Sequence, residues 1–178
     1  MKKDTFNIIL IGMPGSGKST VGVLLAKLTR RDFVDTDVLI QSAQGRSLQD
    51  IVDHDGHLVL RQIEEDILLK LDISNHVIAT GGSAVYSASA MEHLKAYGVA
   101  VFLRVDLPTL KSRVHDYETR GLAKRPDQSL EDLFVERGAL YRRFADITID
   151  CSLCSHEEVC ERIIRSLERI RIDKMKGH

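Results

Sequence analysis

Apolar and polar positions along this chain follow two periods, and the switches between them mark the elements. Phe6-Asn7-Ile8-Ile9-Leu10-Ile11 is nearly continuous in apolar side chains, as in a strand buried on both faces. A glycine-rich stretch follows, and Lys18 to Leu28 then takes helical spacing, with Val21, Leu24, Leu25 and Leu28 on one face. Asp32 to Asp35 predicts a second short strand. Ser47, with Asp50 three residues on, predicts a capped helix start, and Leu58 to Leu71 carries Leu60, Ile63, Ile67, Leu68 and Leu71 as one stripe. His76-Val77-Ile78-Ala79 predicts a third strand ending at Gly81-Gly82, followed by a helix over Ser87 to Tyr97 and a buried strand over Val99 to Val105. Pro108 suits the first turn of a helix reaching about His115. Residues 116–128 are polar and broken by Gly121 and Pro126, which predicts a mobile loop. A helix over Ser129 to Phe144 and a strand over Ile147 to Cys151 come next. Ser155 and Glu158 then form a capping box for a last amphipathic helix bearing Val159, Ile163, Ile164, Leu167 and Ile170, before a short unstructured tail.

Strands alternating with helices imply an α/β protein whose parallel sheet of about five strands is covered on both faces. At 178 residues the chain fits one domain over 1–178. Hydrophobic residues at 43% supply an ordinary core, and a net charge of −1 without a basic stripe argues against a nucleic-acid partner. The apolar runs are too short to span a membrane, and Met1-Lys2-Lys3-Asp4 opens no signal-peptide pattern, so a cytoplasmic monomer is expected. Cys151, Cys154 and Cys160 cluster around His156, but a zinc site draws on two ligand pairs and no second pair is present. Buried thiols are expected there instead.

Gly12-Met13-Pro14-Gly15-Ser16-Gly17-Lys18-Ser19 matches the phosphate-loop pattern G-x-x-x-x-G-K-[ST] without a departure, between a strand and a helix. Gly12, Gly15, Ser16 and Gly17 let backbone N–H groups turn towards a phosphate at a helix start. Lys18 is then a catalytic cation for the β- and γ-phosphates, Ser19 a hydroxyl for Mg²⁺, and Thr20 a further nucleotide contact. ATP with Mg²⁺ is the expected donor. The guanine-reading pattern Asn-Lys-x-Asp does not occur in the chain.

Beyond the loop come Asp35-Thr36-Asp37 at the end of the second strand, Leu60-Arg61-Gln62-Ile63-Glu64 on a helix, Thr80-Gly81-Gly82, and Tyr141-Arg142-Arg143 at a helix end. In that order and at that spacing the set resembles the shikimate kinase family over residues 6 to 170. The resemblance implies a P-loop three-layer sandwich with strand order 2-3-1-4-5 and a lid over about 116–128. It implies that Asp35 positions Mg²⁺ beside Ser19 and that Asp37 contacts the acceptor hydroxyl. It also implies that Arg61 and Arg142 bind a substrate carboxylate, with Gly82 contributing backbone. Two arginines converging on a carboxylate give oriented, bidentate recognition. Glu64, three residues after Arg61, is placed to fix that arginine's orientation.

Three positions depart from the family pattern: Ser83 replaces a third glycine, Leu60 replaces a phenylalanine, and the lid reads Lys124-Arg125-Pro126-Asp127. Two arginines compete for the lid role. Arg125 precedes the proline, whereas gap-free spacing against the family pattern selects Arg120, because Arg113 then falls where the resemblance implies an arginine against the adenine; Arg120 is then the catalytic, nucleotide-contacting arginine. The expected substrate is a small carboxylate-bearing alcohol, shikimate first. A related kinase for gluconate, homoserine or a nucleoside monophosphate stays open, as does a non-catalytic ATP-binding module.

Overall fold

The computed structural model describes residues 6–113 and 121–176. Among the described residues five strands form one parallel sheet in the order β2-β3-β1-β4-β5. They are β1 (Asn7–Ile11), β2 (Asp32–Asp35), β3 (His76–Ala79), β4 (Gly98–Arg104) and β5 (Ile147–Asp150). The helices are α1 (Lys18–Thr29), α2 (Thr36–Gln44), α3 (Leu48–Asp55), α4 (His57–Leu69), α5 (Ala88–Ala96), α6 (Leu107–Arg113), α7 (Leu130–Phe144) and α8 (His156–Lys176).

All of β1 is buried, as its continuous apolar run requires of a central strand, with Ile9 in register with Ile78 of β3 and Ala100 of β4. Helices α1 and α8 pack on each other and against the sheet, while α5 and α7 pack against β4, so the central strands are covered on both faces. The main core joins Leu25, Ile78, Met91, Leu103, Tyr141 and Ile163, among others, and Cys151 and Cys160 are buried in it. A second small cluster of Ile40, Ile51, Leu60 and Ala123 ties α2, α3 and α4 to the segment after residue 120.

Capping residues start the helices where serine and acid were spaced for it. Ser47–Asp50 and Ser129–Asp132 form complete capping boxes, and Ser155 and Glu158 exchange bonds in the same way at α8. Helix α2 was not expected from the sequence pattern. The chain does not end a strand at Asp37; Asp35 closes β2 and caps α2, its Oδ1 accepting from the Asp37 N–H at 3.0 Å. The tail also differs from expectation, since α8 continues to Lys176. His115 and the first part of the expected lid lie outside the described residues.

Candidate active site

The order of the strands places β1 between β3, whose partner is β2, and β4, which leads to β5. Ligands of open parallel sheets bind at such a switch point, outside the strand carboxyl ends. The phosphate loop occupies it. Gly12, Gly15 and Gly17 all have φ between 82° and 149°, and a Cβ on Gly12 would stand 2.8 Å from the Leu103 carbonyl oxygen. The loop therefore closes tightly only with glycine there. Inside it the Lys18 Nζ donates to the carbonyls of Gly12 (2.8 Å) and Met13 (3.0 Å). Burial lowers the lysine to about 8, against the pull of Asp37. The Ser16 hydroxyl is buried without a hydrogen-bond partner among the described residues. A lysine folded onto its own loop and an orphaned hydroxyl fit a phosphate that would take both.

At the start of α1 the Ser19 hydroxyl donates to Asp35 Oδ2 at 2.6 Å. One hydroxyl and one carboxylate suit Mg²⁺, which keeps most of its waters and takes few protein ligands. Thr20 follows on the exposed side, and both Ser19 and Thr20 face the cavity.

That cavity, of about 590 Å³, runs from the loop to the acidic and basic side chains beyond it. Lys18, Asp37, Glu64, Gly81, Gly82 and Arg137 line its inner part. Asp37 sits in the first turn of α2, and burial raises its carboxyl above the ordinary range despite Lys18 nearby. Gly81 and Gly82 carry no side chain because there is no room for one. A Cβ on Gly81 would meet Asp37 Oδ1 at 2.7 Å, and one on Gly82 would meet Arg137 Nη1 at 2.8 Å. Gly82 is held in turn by the Tyr141 hydroxyl, which donates to its carbonyl at 2.7 Å.

Arg137, which the sequence reading did not select, is the buried guanidinium of the site, at 1% exposure. Arg142, selected instead, is exposed and folds back beside Gly138 on the outer side of α7. Five residues along a helix is about 140° of turn, so the two arginines cannot share a face. Leu133, Arg137, Tyr141 and Phe144 form the inner stripe of α7. A lone cation within an apolar stripe is the signal that identifies Arg137.

Arg61 does reach the site's edge, but not through Glu64. Its guanidinium lies over the Tyr86 ring at 3.6 Å, and its Nη2 and Nε donate to the Ala123 carbonyl at 2.9 and 3.2 Å. Arg137 Nη2 donates to the same oxygen at 3.0 Å, so two guanidiniums converge on one acceptor. Glu64 instead accepts a short hydrogen bond from the Ser83 hydroxyl.

The lid candidates separate. Arg125 is 57% exposed beside Glu136 and Asp127, outside the cavity wall. Asp127 is likewise exposed and is not part of the cavity wall. Arg120 lies outside the described residues, but Gly121 next to it lines the cavity. Arg113 is not in that wall; it is exposed at the end of α6 and donates to the Cys151 carbonyl at 3.2 Å.

A phosphate loop at the switch point, facing a pocket that mixes carboxylates with guanidiniums, defines a P-loop kinase of the small-molecule type. The family model for shikimate kinase matches residues 14–168, and the chain belongs to the shikimate kinase family. The shikimate kinase of Caldanaerobacter subterraneus subsp. tengcongensis is 34% identical over 168 residues, covering 93% of this chain and 98% of that protein. That of Clostridium botulinum strain Okra is 38% identical over 168 residues, covering 92% and 96%. Among solved structures, shikimate kinase from Acinetobacter baumannii in complex with shikimate superposes with a TM-score of 0.85 at 32% identity, covering 92% of this chain and 93% of that one. A gluconokinase from Sinorhizobium meliloti shares the fold at 16% identity and a TM-score of 0.56.

Proposed function

We propose that this protein transfers the γ-phosphoryl group of ATP to a hydroxyl of shikimate, yielding ADP and a shikimate phosphate monoester. The observation that carries the reading is the single cavity in which Lys18, Asp37 and Arg137 face one another beside the phosphate loop, in a chain of this family. That the Acinetobacter baumannii relative was solved with shikimate supports the choice of acceptor.

Phosphoryl transfer passes through a loose transition state, so the protein's work is positioning and charge stabilisation. The loop amides and Lys18 hold the donor phosphates. Mg²⁺, when bound beside Ser19 and Asp35, supplies charge neutralisation on the phosphate oxygens. Asp37 receives the acceptor hydroxyl and takes its proton as the new P–O bond forms and the bond to ADP breaks. Arg137 and Arg61, which meet at the Ala123 carbonyl, receive the acceptor carboxylate, with the Gly82 backbone beside them. The family resemblance assigns the lid role to Arg120 and the adenine to Arg113.

The test is coupled ADP release over a panel of hydroxy acids and nucleoside monophosphates. Shikimate is expected to give the highest turnover; a preference for gluconate, homoserine or a nucleotide, or acceptor-independent ADP release, would overturn the reading.

A further inference from the structure

Ser83 stands at the seam of two cavities. One is the large cavity described above; the other, of about 290 Å³, is lined by Leu58, Arg61 and Tyr86, and both have Glu64 and Ser83 in their walls. Helix α4 sets Arg61 and Glu64 three residues apart, where an arginine and a glutamate ordinarily pair. Here the pair is divided. Tyr86 takes the guanidinium on its ring face, and the Ser83 hydroxyl takes Glu64 Oε2.

Both members of the second contact are buried, Ser83 at 8% and Glu64 at 3% exposure. The other Glu64 oxygen, Oε1, is also buried and has no hydrogen-bond partner among the described residues. It stands against Gly81 on the same side as Asp37 Oδ1. A buried carboxylate oxygen without a partner is costly, so its retention marks a place kept for a donor brought by a ligand. A glycine at position 83 would leave the carboxyl free to swing through the smaller cavity towards Arg61.

We propose that Ser83 is a specificity-determining positioning residue, which by holding Oε2 of Glu64 turns Oε1 towards a second hydroxyl of the acceptor, beside the hydroxyl that Asp37 receives. The inference rests on the acceptor-site reading above and deepens it by naming the side chain that aims Glu64 at the acceptor. Burial pushes Glu64 up to about 7, while the Ser83 hydrogen bond pulls the other way and favours the ionised, accepting form.

The experiment is a double-mutant cycle in acceptor kinetics, with Ser83→Ala, Glu64→Gln and the double variant. Ser83→Ala removes one oxygen and leaves the backbone, at φ −98°, undisturbed. It is expected to raise the acceptor KM about tenfold while kcat and the KM for ATP stay close to those of the unmodified enzyme. In the Glu64→Gln background the same change is expected to do nothing more, because Ser83 acts through Glu64. An unchanged acceptor KM in Ser83→Ala, or effects that simply add in the double variant, would overturn the inference while leaving the kinase reading intact. Failure of the unmodified enzyme to use any acceptor would overturn the kinase reading, and this inference with it.

Discussion

Burial of Lys18 among the carbonyls of its own loop makes it the residue whose loss is least replaceable. Lys18→Ala is expected to abolish turnover, and retained activity in the ADP-release assay would contradict its place in the phosphate loop. Across the cavity, Arg137→Lys is expected to raise the acceptor KM by about tenfold or more, since a point charge cannot replace a bidentate fork. Arg142→Ala, on the outer face of α7, is expected to leave the KM unchanged. That contrast also shows how far single residues could be read from the chain. That Lys18, Ser19, Asp37 and Gly82 line one cavity, with Asp35 against Ser19, was legible because a contiguous motif fixes the backbone around each of them. The arginine on α7 was not, because its identity depends on helix phase, and phase follows from what the helix packs against. Arg61 was placed at the site's edge, but against Tyr86 rather than Glu64, whose carboxylate is taken by Ser83, distant in sequence.

Asp35 ties two elements together, accepting from the first turn of α2 with one oxygen and from Ser19 of α1 with the other. Asp35→Asn is expected to keep the helix cap, since asparagine caps as well as aspartate, yet to raise the Mg²⁺ concentration needed for half-maximal activity. Asp35→Ala is expected to show that defect and also to lose about 1 kcal/mol of stability in urea unfolding. Equal stability of the two variants would remove the capping role. Helix starts marked by serine with an acid three residues on were visible in advance at Ser47 and Ser155, whereas the box at Ser129 and Asp132 is seen only in the structure. Helix α2 was hidden because Asp-Thr-Asp reads equally as a strand end, and because its apolar stripe is short: Ile40 is buried, whereas Val38 is 58% exposed.

For the molecule as a whole, the buried acidic pair should make stability depend on pH. Folding raises Glu64 from its ordinary value near 4.5 to about 7 through burial, and raises Asp37 in the same direction. The folded state thus binds these protons more tightly than the unfolded one. The Glu64 contribution is complete below about pH 4.5 and is lost as pH rises through about 7, and Asp37 contributes with the same sign. Glu64→Gln is expected to flatten urea-unfolding stability between pH 5 and 8, a difference on the order of 2 kcal/mol. A curve as steep as that of the unmodified protein would place the shift elsewhere. Lys18, lowered to about 8, acts above this window and with the opposite slope. The sheet order itself followed from the family resemblance rather than from the strand pattern, which predicts parallel strands without ordering them. The central claim, transfer to shikimate rather than ATP binding or hydrolysis alone, is tested most directly by phosphorus NMR of the enzyme with ATP, Mg²⁺ and shikimate. A new phosphomonoester resonance growing one-for-one with ADP is predicted; ADP appearing with inorganic phosphate alone would contradict it.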